Sequence, residues 1–484
     1  MAKILFIQGI WFEFEGVMQL SAALKKAGHQ VDILIGTDKE KMLPEIKQYD
    51  PDIIGMSIIT SYREYTLGIA RMVKENGLKA LVFVGGYDAS FFPEAIEQCP
   101  EIDILCRGEG DEPMVELANA LDKKQDYSNI PSLWVRKDGK IIKNPLRPLN
   151  MDMDSKPWED RDLYRKYPFF KDFEFAQVMV GRGCPHLCSY CYNHQYRKMY
   201  AEVGSKKYTN LRSVENVIGE LLVLKHKYKY KTIFFNDSTL TYDKKWLLKF
   251  CKMYKEEIDL PFTINGVVNE IDEDVVKALA DTGRCYILRF GLESGNEQFR
   301  LGVMNRINTD EQYYKATALL QKYKIPYSMS FMLGLPGETI DMSYQTLEMA
   351  AAISDKKSVH AVNLFKPYPK LDITEYGINM GVYDPSLFSD VNSPIGSGKN
   401  NIYHNFRPDE EGILIEKLTR FAYLYIRHPW MRPIIKKLIT YPDNAFNRLV
   451  WRISEMYYTG RRHTNSSWKF ALKYVFKHFA KSYR

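Results

Sequence analysis

The chain has 484 residues and a mass of 56.5 kDa, with 45% hydrophobic and 26% charged residues. This is ordinary globular usage for a chain of about three domains, and it excludes wholesale disorder, a collagen-like repeat and a disulfide-rich mini-protein. No apolar run reaches the ~18 residues that cross a bilayer. Glu13 and Glu15 occupy positions where a signal peptide would have small residues. We therefore expect a cytoplasmic protein, at most peripheral to a membrane.

The net charge of +7 is unevenly distributed along the chain. Residues 401–484 hold 16 Lys/Arg and 6 Asp/Glu, a local net charge of +10. The first 400 residues hold 51 Lys/Arg and 54 Asp/Glu, a net charge of −3. Lys469, Lys473, Lys477 and Lys481 recur every four residues, with apolar residues at helical spacing between them, which predicts a basic amphipathic helix. Such a helix contacts an anionic membrane surface or substrate, or it is a solvated helix packed on the rest of the protein.

Residues 1–130 alternate between strand and helix patterns. Apolar strands such as AKILFIQ, PDIIGMSII and KALVFVGG are followed by helical segments, which predicts a doubly wound, Rossmann-like parallel sheet. Ligands of such sheets bind at the carboxyl ends of the strands, although tight turns without a ligand also use glycine there. The residues predicted at these ends are Ser57, Thr60, Gly85, Gly86, Gly108, Glu109 and Gly110.

The second half of the chain begins with a connector. Residues 131–170 lack sustained periodicity, and six strand–helix units follow, which predicts a partial (β/α)6 barrel of the TIM type with its chemistry at the strand ends. Beyond residue 385 the parallel pattern stops, and a loop at 390–405 leads into helical segments. We therefore predict four regions: a Rossmann-like domain at 1–135, a connector at 136–169, a partial barrel at 170–385 and a basic helical domain at 386–484.

Three of the seven cysteines lie within eight residues, after the first strand of the predicted barrel, in the segment GRGCPHLCSYC. Thiolates of Cys184, Cys188 and Cys191 at this spacing can bind one iron–sulfur cluster from a single loop. Structural zinc is the alternative, but it prefers four ligands in two separated pairs, and only His186 or His194 offers a fourth here. Three thiolates on a four-iron cluster leave one iron open to a small molecule.

This cysteine spacing, placed after the first strand of a β/α barrel, resembles the radical S-adenosylmethionine (SAM) superfamily over about residues 170–375. The resemblance implies a [4Fe-4S] cluster on the three cysteines, whose open iron binds SAM. Reductive cleavage of SAM then gives a 5′-deoxyadenosyl radical that abstracts hydrogen. The motifs GLESG and GLPGET match later strand ends of the family. By resemblance, the residues that contact SAM are Tyr190, Asn236, Asn265, Glu293, Ser294, Gly334 and Pro336.

The segments PDIIGMSIITS, VFVGGYDASFFPE and ILCRGEGDEPMVELANAL resemble the cobalamin-binding domain that precedes the barrel in one radical SAM subgroup. The Asp-x-His-x-x-Gly motif that supplies a histidine to cobalt is absent, so the resemblance implies cobalamin without histidine on its lower face. Some members keep this domain without using cobalamin. Where members often have Gly-Gly-Pro-His, this chain has Gly86-Tyr87-Asp88, which adds a carboxylate to a loop expected to face cobalamin.

The resemblance implies a radical SAM enzyme that modifies an unactivated carbon, with cobalamin-dependent methyl transfer as the leading hypothesis. The alternatives are radical cyclisation or rearrangement, and a non-enzymatic cluster or cobalamin sensor. The expected partners are a small-molecule or lipid-like substrate and an external electron donor such as flavodoxin or ferredoxin. Nucleic acid is not expected, because the RNA-modifying methylthiotransferases carry three further cysteines before the barrel, where this chain has only Cys99 and Cys106.

Overall fold

The structure is a computed structural model, and it describes residues 1–393 and 407–442. Most of the loop predicted at 390–405 and the whole basic helix predicted around Lys469–Lys481 lie outside the described residues. Within the described part of the chain, no helix has both the length and the hydropathy needed to cross a membrane.

The first sheet has seven strands in the order β2-β1-β3-β4-β5-β6-β7. Its first five strands in this order are parallel, and β6 and β7 continue the sheet in antiparallel pairing. The strands are β1 (Lys3–Gln8), β2 (Gln30–Ile35), β3 (Ile53–Ser57), β4 (Leu81–Gly85), β5 (Ile104–Cys106), β6 (Leu133–Lys137) and β7 (Lys140–Lys143).

Helices cover both faces of this sheet, and each face packs on its own buried apolar cluster. Because helices cover both faces, all four residues of Ile53–Met56 are buried. A strand in this position has to be apolar along its length, so its sequence is a continuous apolar run. The helices of this region are α1 (Glu15–Lys26), α2 (Lys39–Tyr49), α3 (Arg63–Glu75), α4 (Tyr87–Phe91), α5 (Ala95–Gln98) and α6 (Asp111–Asp122).

The hairpin of β6 and β7 lies in residues 131–170, where the sequence analysis found no periodicity. Both strands are short and end in lysines, so the alternation of apolar and polar residues is weak. Asp138 and Gly139 form the turn and both have positive φ, which is the backbone that a two-residue hairpin needs. The first sheet therefore extends to Lys143.

The second sheet has six parallel strands in the order β8-β11-β12-β13-β14-β15. A separate two-stranded antiparallel pair, β9 and β10, lies beside its first strand. The strands are β8 (Phe175–Val178), β9 (Gly181–Arg182), β10 (Asn210–Leu211), β11 (Thr232–Phe235), β12 (Phe262–Asn265), β13 (Cys285–Glu293), β14 (Tyr327–Leu333) and β15 (Val359–Leu364).

Helices follow the strands of the second sheet and enclose a single large apolar core with them. Two short connecting helices, α7 (Asp162–Arg165) and α8 (Pro168–Lys171), precede the sheet, and the later helices are α9 (Tyr192–Ala201), α10 (Val214–His226), α11 (Lys244–Met253), α12 (Glu273–Asp281), α13 (Glu297–Gly302), α14 (Asp310–Lys322), α15 (Ile340–Ala352), α16 (Asp372–Asn379), α17 (Glu410–Arg427) and α18 (Arg432–Leu438). The predicted class, a Rossmann-like sheet followed by a partial β/α barrel and a helical end, is confirmed.

Candidate active site

The three clustered cysteines lie in the loop between β8 and α9, and all three are free thiols. The loop starts with β9, which pairs with β10. Gly183 has φ +87°, and a Cβ there would lie 2.3 Å from the Tyr208 carbonyl oxygen. Only glycine allows this close approach of two backbones, so the glycine before Cys184 fixes the path of the cysteine loop.

The cysteine side chains lie close enough to interact electrostatically. Burial raises the pKa of Cys184 to about 12 and also raises that of Cys191, and each neighbouring thiol adds to the shift. Among residues 1–393 and 407–442, no three His, Cys, Asp or Glu side chains converge as they would on a single ion. Zinc prefers four ligands at about 2.0–2.3 Å, whereas three thiolates from one loop can bind an iron–sulfur cluster.

The strand ends of the second sheet hold the start of this loop. The Asp237 carboxylate, after β11, accepts hydrogen bonds from the backbone N–H of Val180 (3.0 Å) and Gly181 (2.7 Å). The Asn265 amide, at the end of β12, donates to the Asp237 carbonyl oxygen at 2.7 Å. Asn265, a predicted SAM contact, and Asp237, which follows the predicted contact Asn236, therefore support the cysteine loop.

A second set of contacts holds the middle of the loop. The Ser189 hydroxyl donates to the Val303 carbonyl oxygen at 2.8 Å. The backbone N–H of Ser189 donates to the Met304 carbonyl oxygen at 3.0 Å. His186 forms a 2.6 Å hydrogen bond through its Nε2 with Glu270. His186 was one of the two candidates for a fourth zinc ligand, and in the structure its Nε2 is bonded to the Glu270 carboxylate.

Arg306 is the main residue that the sequence analysis missed at this site. Its buried guanidinium lies 3.8 Å from Cys188 Sγ and 3.3 Å from the Tyr190 hydroxyl, and it donates to the Gly291 carbonyl oxygen at 2.9 Å. Burial raises the pKa of Glu293, and the positive charge of Arg306 opposes that shift. One cation therefore links a predicted cluster ligand, Cys188, with two predicted SAM contacts.

We expect Arg306→Gln to make the reduction potential of the bound cluster more negative, because a cation beside a thiolate ligand favours addition of an electron. A tenfold smaller equilibrium constant for reduction corresponds to about 59 mV for one electron. The measurement is a redox titration followed by electron paramagnetic resonance. Arg300→Gln is the control, because Arg300 is equally buried but pairs with Asp310. An unchanged potential in Arg306→Gln would contradict this role.

The end of β13 brings Glu293 to the site through an irregular backbone. The pairing register of β13 with β14 shifts between Gly291 and Glu293, and Glu293 has φ +64°. A side chain at Gly291 would collide with the Glu293 carboxylate. Ser294 is fully buried, and its carbonyl oxygen accepts a 2.6 Å hydrogen bond from Arg300. The positive φ of a non-glycine residue marks Glu293 as a functional candidate.

The GLPGET loop after β14 is organised by Glu338. Its carboxylate accepts hydrogen bonds from the N–H of Gly334 (2.6 Å) and Leu335 (3.0 Å), and burial raises its pKa to about 7. Arg407 donates to the carbonyl oxygens of Leu335 and Glu338, both at 2.9 Å. Pro336 packs near Gly377 of α16. Gly334 and Pro336, the predicted contacts, thus belong to a tightly held turn.

The predicted cobalamin residues gather at the carboxyl ends of β3, β4 and β5. Gly86 has φ +97°, and a Cβ there would meet the Ser57 hydroxyl at 2.8 Å. Gly108 has φ +74° and would meet the Tyr200 hydroxyl at 2.3 Å. The Glu109 N–H donates to that same hydroxyl at 2.8 Å. Two more predicted residues lie at this edge. Gly85 is the last residue of β4, and Gly110 directly precedes α6.

Charged groups join this edge to the cysteine loop. Arg182, two residues before Cys184, pairs with Glu109 at 2.5 Å and with Asp111 at 2.9 Å. Lys156 of the connector pairs with the same two carboxylates at 2.8 and 2.6 Å. Asn236 donates to Glu15 of α1 at 2.6 Å and so contacts the first sheet. The two sheets therefore meet directly at the predicted cofactor loops.

Aromatic side chains line the same junction. Phe91 stacks on Tyr192 with ring centroids 4.7 Å apart, and it meets Tyr196 edge-on at the same distance. Tyr87 lies 5.7 Å from Tyr192 and 5.5 Å from Tyr196. We call Tyr87, Phe91, Tyr192 and Tyr196 the aromatic wall. It connects the loop after β4 to the helix that begins directly after Cys191.

The Asp88 carboxylate, which the sequence adds to the loop after β4, is bound by side chains of the protein itself. It is buried and forms a pair with Arg63 at 2.6 and 2.7 Å, while the Thr60 hydroxyl donates to it at 2.8 Å. Arg63 also lies over the Phe92 ring, 4.7 Å from its centroid. The carboxylate therefore supports the loop internally, and the hydroxyl of Thr60, a predicted cofactor contact, is used for the same purpose.

Two family models match the chain. Residues 178–350 match the radical SAM superfamily, and residues 15–118 match the B12 binding domain. An uncharacterized methyltransferase of Pyrococcus horikoshii is 32% identical over 368 residues, which cover 74% of this chain and 77% of that protein. The chain belongs to the radical SAM superfamily. The predicted family, with a [4Fe-4S] cluster, SAM and cobalamin as its cofactors, is confirmed, and this membership favours an enzyme over a sensor.

One further relative of this radical SAM chain and one protein of similar fold have different activities. The anaerobic magnesium-protoporphyrin IX monomethyl ester cyclase of Rubrivivax gelatinosus is 26% identical and covers 75% of this chain, which spans 66% of the cyclase. The radical SAM methyltransferase TsrM of Kitasatospora setae, solved with cobalamin and a [4Fe-4S] cluster, has a TM-score of 0.66 and 16% identity, over 89% of this chain and 90% of TsrM. TsrM supports the fold alone.

Proposed function

We propose that this radical SAM enzyme catalyses cobalamin-dependent methyl transfer to an unactivated carbon of a small molecule. The observation that carries the proposal is the direct contact between the two predicted cofactor loops. Glu109, at the edge proposed for cobalamin, pairs with Arg182, two residues before the first cysteine. A substrate held at this junction lies within reach of both cofactors.

The proposed ligands of the cluster are Cys184, Cys188 and Cys191. When bound, the cluster and SAM supply a 5′-deoxyadenosyl radical, and cobalamin supplies the methyl group. The residues of the chain bind and orient these groups: Arg306 and Glu293 offer opposite charges for the polar groups of SAM, and the turn held by Glu338 borders the same site. A reactive radical requires the exclusion of water, and the aromatic wall offers apolar surface at this junction for a substrate to cover.

Radical cyclisation or rearrangement without methyl transfer is the second candidate. It is supported by the similarity to the cyclase of Rubrivivax gelatinosus, which extends over 385 residues. Both reactions begin with the same cleavage of SAM, so the residues around Cys188 and Arg306 serve either one. The two candidates differ in whether the methyl group of SAM leaves the enzyme on a product.

The aromatic wall also supports a substrate class. Tyr87 is 53% exposed beside the stacked rings of Phe91 and Tyr192, which is a surface suited to apolar or aromatic groups. We therefore propose a small apolar molecule, with lipid-like compounds included. An electron donor such as flavodoxin or ferredoxin and a cytoplasmic location also belong to this proposal, since the cysteines need a reducing compartment.

The test is anaerobic reconstitution with iron, sulfide and cobalamin, followed by incubation with SAM that carries a deuterated methyl group and a chemical reductant. We expect iron and cobalt in the purified protein, 5′-deoxyadenosine as a product, and deuterium in the cobalamin that is extracted. The Cys251→Ala protein should behave identically, because Cys251 is a buried core residue of α11. Deoxyadenosine without labelled cobalamin would favour cyclisation or rearrangement and would overturn methyl transfer.

A further inference from the structure

Helix α18 and its flanks present an apolar stripe to the outside. Trp430, Ile434 and Tyr441 follow one another at spacings of four and seven residues, which places them on one helical face. Trp430 is 69% exposed, and Ile434 and Tyr441 are each 48% exposed. We call this the α18 stripe. An outer face that only contacts water would carry polar residues here, so the stripe is suited to binding another surface.

The rest of α18 is firmly packed, which fixes the stripe outward. Ile435 and Ile439 on the opposite face are buried in the large core of the second sheet. Arg432 donates to the Tyr425 carbonyl oxygen of α17 at 3.2 Å, and the Lys436 ammonium lies 4.2 Å from the centroid of the Tyr344 ring. The exposed apolar residues are therefore not an unfolded end that could turn inward.

The segment of the chain that carries the α18 stripe has charges of one sign only. Residues 417–441 contain six Lys/Arg and no Asp/Glu. Lys436 and Lys437 are both exposed beside the apolar residues. Tryptophan and tyrosine prefer the boundary between lipid and water, and lysines beside an apolar stripe are attracted to anionic head groups. The combination matches the interface of an anionic lipid bilayer.

We propose that the α18 stripe docks the protein on the surface of a bilayer that contains anionic lipids. The charge argues against two other occupants. Residues 443–484 of this chain hold nine Lys/Arg and two Asp/Glu, and a second copy would bring the same cations against each other. This inference rests on the stripe alone and is independent of the reaction.

The test is cosedimentation of the full chain with vesicles of phosphatidylcholine alone or of phosphatidylcholine with phosphatidylglycerol. We expect the protein to pellet only with the anionic vesicles. The variant with Trp430→Ser and Ile434→Ser should partition about tenfold more weakly, because it loses its inserted apolar groups. Lys437→Glu should weaken binding roughly tenfold as well, through charge, and high salt should remove that difference.

The matched control replaces exposed apolar residues elsewhere, Leu248→Ser on α11 and Tyr314→Ser on α14, and should pellet like the original protein. Circular dichroism and cluster content show whether each variant is folded. Equal pelleting of the Trp430/Ile434 variant and the original protein would overturn the proposal, as would failure of the original protein to bind anionic vesicles. A dimer that this variant converts to a monomer would identify the stripe as a contact between copies and overturn membrane docking.

Discussion

The Cys188→Ala protein should lack both the visible absorbance of an iron–sulfur cluster and the formation of 5′-deoxyadenosine. Cys188 is the most buried of the three clustered cysteines, and its sulfur is the one beside Arg306. Alanine leaves only two thiolates in the loop, and two ligands do not hold the cluster that cleaves SAM. The measurements are iron content, the absorbance spectrum and the yield of deoxyadenosine after anaerobic reconstitution.

Cys251→Ala is the matched control for this experiment. Cys251 is also a free, buried thiol, but it belongs to the apolar core of α11. Its replacement should leave cluster and product unchanged at a small cost in stability. If Cys188→Ala still produced deoxyadenosine under reducing conditions, the assignment of the cluster to Cys184, Cys188 and Cys191 would be wrong. Zinc in place of iron in an oxygen-free preparation would also contradict it.

The elements of both sheets were predictable because their hydrophobic patterns are strong. A parallel strand covered on both faces is an uninterrupted apolar run, and helices with periodic apolar faces separate these runs. The hairpin of β6 and β7 was missed because both strands are short and neither shows a clear alternation of apolar and polar residues. The pair Asp138-Gly139 was the one local signal for it, because this dipeptide favours the positive φ of a two-residue turn.

The cysteine loop was predictable from spacing, whereas its supports were not. Ligands from one loop lie together in the sequence, so Cys184, Cys188 and Cys191 could be recognised without a structure. Arg306 lies 118 residues after Cys188 and reaches it because Val303 and Met304, which follow α13, contact the loop at Ser189. No local pattern reports such a contact. A basic residue shortly after the GLESG motif was a signal, but many surface arginines would satisfy it.

The charged contacts between the two sheets show the same limit. Glu109 was predicted as a cofactor contact from its place at a strand end, and the structure pairs it with Arg182 and Lys156. These contacts join residues from three separate regions of the chain. The loops proposed for cobalamin and for the cluster are therefore joined by ion pairs.

A single substitution in α4, Asp88→Asn, should destabilise the protein by about 3–5 kcal/mol, the usual cost of breaking a buried ion pair. Arg63 and Asp88 are each about 1% exposed as side chains, and two hydrogen bonds join them. The neutral amide would leave the guanidinium of Arg63 buried without a countercharge. The effect is measured as a shift of the unfolding transition in urea, followed by circular dichroism.

The control for burial is Asp126→Asn, which removes an exposed pair with Lys137 and should hardly change the transition. Replacing both partners, Arg63→Leu with Asp88→Asn, should recover part of the lost stability, because no unpaired charge then stays buried. Asp88 either supports the loop from inside or contacts cobalamin, and the amount of cobalamin that the Asp88→Asn protein retains distinguishes these two roles. A carboxylate that supports the loop from inside affects retention only through folding, whereas normal stability with lost cobalamin would mean that Asp88 contacts the cofactor. Since Thr60 and Arg63 already occupy both carboxylate oxygens, we expect the loss of stability.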